Sequence, residues 1–167
     1  MILSIAILAL VTAQRLGELV VAQRNTRRLL AQGGVERGAE HYPLMVALHA
    51  AWLGGLWTLA WNRPANLWWV MAYALLEVLR VWVLTSIGRR WTTRIIVVPG
   101  ETLVRKGPYR LIPHPNYAVV AGEIAVLPLV FGLTGYAAVF SVLNAAMLWL
   151  RIGAENAALA DATSTQT

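Results

Sequence analysis

The chain of 167 residues contains no cysteine, which excludes a disulfide scaffold, thiolate catalysis and cysteine-ligated metals. Charge is scarce as well. Charged residues make up 13% of the sequence, about half the usual share of a soluble domain, and only one of the fourteen cationic residues is a lysine. The three histidines, His41, His49 and His114, lie far apart and form neither an H-x-x-x-H nor an H-E-x-x-H pattern, so no metal site is expected. What remains is apolar: 58% of the residues, with a mean hydropathy of +0.58. Such a chain can bury ample surface, which excludes disorder, and it is too greasy for a soluble enzyme.

Apolar runs extend from Met1 to about Val21, Pro43 to Trp61, Leu67 to Ile87, Tyr117 to Phe131 and Tyr136 to Leu150. A spanning helix needs roughly 20 residues, so the first three can each cross a bilayer. The last two predict a short, tilted or partly embedded helical hairpin turning at residues 132–135. The expected fold is therefore a single all-α integral membrane domain over 1–167, with about five transmembrane helices. The first run lacks a basic leader, and Arg15 and Glu18 stand where a cleavage site belongs, so it reads as a retained helix. The Ala/Thr/Ser/Gln-rich end from Ala160 to Thr167 reads as a frayed tail.

The net charge of +6 is set between apolar runs rather than on a polar surface, which favours topology signals and anionic lipids over nucleic acid. With the N-terminus outside, Arg24, Arg27, Arg28, Arg37, Arg89, Arg90, Arg94, Arg105, Lys106, Arg110 and Arg151 all fall on the cytoplasmic side, and Arg63 alone falls outside. Trp57, Trp61, Trp68 and Trp69 flank the external turn, as rings anchored at a headgroup boundary do.

Ionisable residues inside apolar helices cost about 2.5 to 3.5 kcal/mol each on insertion, so each needs a partner or a role. Arg15 with Glu18, and Glu77 with Arg80, are spaced three apart and can pair locally, as helix-orienting ion pairs or as the lining of a polar cavity. His49 reads as a hydrogen-bonded packing residue. Glu123 has no local partner, which suggests that it faces a cavity.

The most informative stretch runs from Arg105 to Tyr117 and closes the long loop 88–116. Gly107 and Pro108 set a turn, and Pro113 and Pro115 bracket His114 and hold its backbone extended. Tyr109, His114, Asn116 and Tyr117 are thus presented beside Arg105, Lys106 and Arg110. The set suits an amphiphilic ligand with an aromatic base and an anionic group, or equally a lipid headgroup. A second cluster, Arg151 and Glu155 within the terminal segment 151–159, shares one helix face. Both ends of the hairpin return to the same membrane face, so the two clusters are expected to meet, with Glu123 facing the same chamber.

These elements resemble the isoprenylcysteine carboxyl methyltransferase superfamily of small membrane methyltransferases. The likeness rests on Gly107-Pro108-Tyr109-Arg110, then His114-Pro115-Asn116-Tyr117, a helical hairpin, and Arg151-Ile152 with Glu155. Arg15, Glu18, Arg24-Asn25, Gly38 and His41-Tyr42-Pro43 look more like the bacterial branch that methylates alkylpyrones and alkylresorcinols. Pro113 before the histidine, and Ala118-Val119-Val120 after the tyrosine, depart from many relatives.

The resemblance implies S-adenosylmethionine as cofactor, bound by Lys106, Gly107, Pro108, Tyr109, Arg110, His114, Pro115, Asn116, Tyr117 and Glu155. No Gly-x-Gly-x-x-Gly is present to form a Rossmann site in its place. It further implies a lipophilic acceptor, with Arg151 orienting the reacting oxygen, Glu155 or His114 as base, and Glu123 as helper. The rivals are carboxyl methylation of an isoprenylcysteine, N-methylation of a phospholipid, and a non-enzymatic lipid-binding scaffold.

Overall fold

The computed structural model describes residues 1–100 and 104–164, with side chains described through Ala158. Five helices carry the fold: α1 (Ile2–Ala31), α2 (Tyr42–Ala60), α3 (Leu67–Ile87), α4 (Pro115–Val130) and α5 (Thr134–Ser164). Four stretches, Ile2–Ala31, Ala39–Ala60, Leu67–Arg90 and Thr134–Ala158, are long and apolar enough to cross a membrane. The protein is an all-α integral membrane protein.

Helix boundaries follow local chemistry. Asn66 caps α3 by accepting the Trp68 amide at 3.0 Å, and Pro115 opens α4, where a missing N–H costs nothing. Gly132 (φ 70°) makes the turn into α5.

The hairpin differs from expectation in its proportions. Its first arm is short, 16 residues ending just after Pro128, whereas its second arm continues well past Leu150. Helix α4 has no need to span, because α3 and α5 enclose it. Val119, Glu123, Ile124, Leu127 and Val130 are all buried, while the long helices turn Leu10, Val78 and Trp149 outward. Helix α1 also runs ten residues beyond the apolar run. The expected frayed tail is helical through Ser164, and residues 165–167 lie outside the described residues.

Among the described residues, two short strands interrupt the helices. Strands β1 (Val35–Arg37) and β2 (Ile95–Val97) form an antiparallel ribbon, with Val35 opposite Val97, Glu36 opposite Ile96 and Arg37 opposite Ile95. An Arg94 Nη1 to Glu36 Oε1 ion pair of 2.6 Å ties it, and the Arg94 guanidinium lies 4.2 Å over the Tyr42 ring.

The apolar core lies at one end of the bundle, where Leu8 and Val11 meet Trp52, Leu56 and Ala60, and then Ile124, Leu127, Val130 and Phe131. The same end is closed by the Ser4 hydroxyl, which donates to the Arg63 carbonyl. Trp57 belongs to this interior. Its indole donates to Thr12 at 3.0 Å, so it is not the boundary anchor that the sequence suggested, whereas Trp61, Trp68 and Trp69 are exposed as expected.

Candidate active site

Below the core, the ionisable residues of the membrane helices form one network. Arg80 donates to Glu18 through Nε (2.5 Å) and Nη2 (2.6 Å) and to Glu123 through Nη1 (2.8 Å). Arg15 donates to Glu18 at 3.0 Å and to Glu123 at 2.7 Å. Gln14 donates to Glu77 at 2.5 Å and to Glu18 at 3.2 Å. The expected local pair of Glu77 with Arg80 is not what forms. Arg80 turns across to α1 and α4, because two carboxylates there hold a buried guanidinium better than one neighbour on its own helix. Nor is Glu123 unpaired: it is 1% exposed and shared by two arginines from α1 and α3.

Beyond this network the bundle opens into a cavity of about 1020 Å³. That is the upper end of the range for small-molecule sites, with room for two ligands side by side. Leu16, Leu19, Val46 and Leu53 supply apolar wall, Ile95 to Val98 of the ribbon strand and its exit line it as well, and Arg15, Glu18, Arg80 and Glu123 border it.

The loop and the terminal segment meet here. The Tyr117 hydroxyl donates to Glu155 Oε2 at 2.8 Å, and His114 Nδ1 lies 3.4 Å from the same oxygen. The His114 and Tyr117 rings stack at 5.3 Å, and the Arg151 guanidinium lies 5.9 Å from the Tyr117 centroid. The reason is geometric: α4 starts at Pro115, α5 returns antiparallel, and its extra turns bring residues 151 and 155 back beside the first turn of α4. His114 (φ −124°, ψ 63°) is the residue before that helix. It is not part of an extended loop, and its carbonyl accepts the Tyr117 and Ala118 amides.

Arg151 is 6% exposed and fixed from two sides, with Nη2 donating to the Thr93 carbonyl at 3.0 Å and Nη1 lying 3.0 Å from Met45 Sδ. Several buried polar atoms in the cavity wall have no partner among the described residues: Trp91 Nε1, Asn116 Oδ1, Asn144 Oδ1 and Arg151 Nε. A polar ligand relieves such a deficit, since a buried unpaired donor or acceptor costs about 1 to 3 kcal/mol.

Of the residues singled out from the sequence, Tyr109, Arg110, His114, Asn116, Tyr117, Glu123, Arg151 and Glu155 line the cavity, whereas Lys106, Gly107, Pro108 and Pro115 do not. Pro108 is buried, and Gly107 (φ 57°) fits so closely against α3 that a Cβ there would lie 2.1 Å from Ser86 Oγ. The 107–110 turn also uses its own amides: Tyr109 N–H goes to Lys106 and Leu111 N–H to Pro108. Gly107 and Pro108 thereby hold Tyr109 at the cavity wall. Burial, and then the charge of Glu155, push the Tyr109 hydroxyl up to about 12, so it stays a neutral donor.

Sequence reasoning missed Thr93 and Met45, which hold Arg151, and read His49 as a hydrogen-bonded packing residue, in keeping with the 2.8 Å from its Nδ1 to the Met45 carbonyl. The proximity of Met45 to His49, four residues apart in a helix, was the one available signal.

Comparison with known proteins gives a consistent picture. The model of the isoprenylcysteine carboxyl methyltransferase family matches residues 69–161, which include α4, the loop before it and most of α5. The Bacillus subtilis (strain 168) protein YpbQ, described as uncharacterized, is 39% identical over 158 residues, covering 92% of this chain and 94% of its own length. No solved structure matches.

Proposed function

The chain belongs to the isoprenylcysteine carboxyl methyltransferase family, and from that membership we propose that it transfers a methyl group from S-adenosylmethionine to an oxygen of a lipidic acceptor, a polyketide-type phenol or pyrone. The observation that carries this reading is the meeting of His114, Tyr117, Arg151 and Glu155 around one large cavity.

The residues present fit the methyl donor. Glu155 offers a carboxylate to its amino group or sulfonium, the stacked His114 and Tyr117 rings offer a face to its adenine, and Asn116 brings an unpaired acceptor. When bound, the donor supplies a methyl on a positively charged sulfur that is already a good leaving group. The protein has then to align the acceptor oxygen and exclude water. Arg151, clamped by Thr93 and Met45, orients that oxygen with the guanidinium hydrogens that those two partners leave free. Leu16, Leu19 and Val46 line the cavity yet remain 59%, 39% and 43% exposed, which supports a tail entering sideways between α1 and α2. The preference for a phenol or pyrone rests on the resemblance of residues 15–43 to the bacterial branch.

The test uses labelled donor, membranes carrying the protein and extracted lipids. Label is expected in a nonpolar phenolic product, and label in ethanolamine headgroups would favour phospholipid N-methylation instead. Arg151→Ala and Glu155→Gln should each lower transfer by about a hundredfold or more while inserting normally. Near-normal methylation by both would overturn the assignment. His114→Ala should abolish the calorimetric binding of S-adenosylhomocysteine, and a flat trace with the native protein would favour a scaffold.

A further inference from the structure

Resting on the methyltransferase reading above, we infer that His49 takes the proton from the acceptor's hydroxyl, and hence that the cavity is built for an acceptor that arrives as a neutral phenol.

His49 lies on α2 and lines the cavity, one helical turn from Met45. Its Nδ1 is 2.8 Å from the Met45 carbonyl. A carbonyl only accepts, so Nδ1 carries the hydrogen, and the neutral ring keeps its lone pair on Nε2. Among the described residues nothing bonds Nε2, and it is not among the enclosed unpaired atoms, so it faces open space. The tautomer is therefore set before any acceptor enters, and the basic nitrogen is the one left available.

Met45 also brings this base to the reacting end. The residue whose carbonyl fixes His49 puts its sulfur 3.0 Å from Arg151 Nη1, so base and guanidinium flank the same part of the cavity. The charged groups around His49 come from every neighbouring helix: Arg15 and Glu18 on α1, Arg80 on α3, Glu123 on α4 and Arg151 on α5. The two carboxylates are engaged by Arg15 and Arg80, and Arg151, on the Met45 side of His49, faces a developing phenolate.

Two of the other ionisable groups already have partners. Glu155 Oε2 accepts the Tyr117 hydroxyl and faces His114 Nδ1, and Glu123, 1% exposed, shares its Oε2 between Arg15 and Arg80. In the step itself the bond formed is O–CH3 and the bond broken is the sulfonium S–CH3, whose electron pair stays on sulfur. The proton passes from the acceptor oxygen to Nε2 and later to water. A phenol needs such a base, because its pKa near 10 leaves almost none ionised at pH 7, whereas a carboxylate or a vinylogous acid arrives without its proton.

The test compares three acceptors on detergent-purified full-length protein with labelled methyl donor: 5-pentadecylresorcinol, a 6-alkyl-4-hydroxy-2-pyrone, and N-acetyl-S-farnesylcysteine. The variants are His49→Asn, which keeps a donor for the Met45 carbonyl, and His49→Ala. Both should lower kcat on the resorcinol by about 10² to 10³, with KM little changed, and the loss should shrink as pH rises toward the phenol's own ionisation. Transfer to the two acceptors that arrive ionised should fall less than about threefold, the scale of a lost packing contact rather than of a lost base. Imidazole should partly restore His49→Ala on the resorcinol alone. Unchanged resorcinol methylation in both variants, or an equal fall on all three acceptors, would overturn the role of His49 while leaving the enzyme reading intact. Native protein that methylates only the ionised acceptors would do the same. Native protein that methylates none of the three, and does not bind S-adenosylhomocysteine, would take the methyltransferase reading down as well.

Discussion

Arg151 gets its direction from the Thr93 carbonyl, in the segment before β2, and from the Met45 thioether on α2, so in the proposed function its guanidinium is set before an acceptor arrives. Tyr109 shows the same logic for a neutral group. Its hydroxyl, ordinarily ionising at 10.0, is held up to about 12 by burial first and by Glu155 second. The folded protein thus keeps a proton that the unfolded chain gives up. The contribution is whole below pH 10 and drains away as pH climbs through about 12. Tyr109→Phe should lack this loss: its thermal stability in detergent should run parallel to that of the native protein up to pH 10 and decline less steeply above it. Identical curves across the alkaline range would show that the hydroxyl is not held in this way.

Among the elements, the turn at residues 107–110, proposed to flank the methyl donor, packs on α3 through a fit that only glycine permits. Gly107→Ala meets a left-handed backbone (φ 57°) and the Ser86 hydroxyl together. Left-handed strain alone costs about 1 to 2 kcal/mol. S-adenosylhomocysteine binding should therefore weaken by about tenfold or more, with partial recovery when Ser86→Gly is added. Unaltered affinity in the single variant would mean that the turn does not position Tyr109. The apolar runs made all five helices legible in the sequence. The ends of α1 and α5 were not legible, because polar stretches such as Arg24-Asn25-Thr26-Arg27 continue a helix without extending its apolar signature. The ribbon was hidden for another reason: three residues per strand are too few to show an alternating period. The approach of Glu155 to His114 followed from a hairpin that must return. The clamp of Met45 and Thr93 on Arg151 did not, since it joins segments whose packing no local pattern encodes.

For the whole molecule, burying Arg15, Glu18, Glu77, Arg80 and Glu123 in one network welds α1, α3 and α4 at mid-depth and divides a packed end from a hollow one. Removing one partner from such a network costs about 3 to 5 kcal/mol, so its place in the fold is fixed. The hollow end also carries the cationic segments, from Arg24 and Arg28 at the close of α1 to Arg89, Arg110 and Arg151, while the packed end has Arg63. Cationic segments favour the side of the negative cytoplasmic leaflet, which predicts an N-terminus outside and a cavity toward the cytoplasm. Because the chain has no cysteine, a single introduced thiol reports its own side unambiguously. Asn62 and Arg89 are both exposed and sit at opposite ends of α3. In intact bacterial cells, Asn62→Cys should react with a membrane-impermeant maleimide, and Arg89→Cys should react only after permeabilisation. The reverse pattern would put the cavity on the outer face, where no pool of S-adenosylmethionine is maintained, and would leave its residues without the cofactor that the family uses.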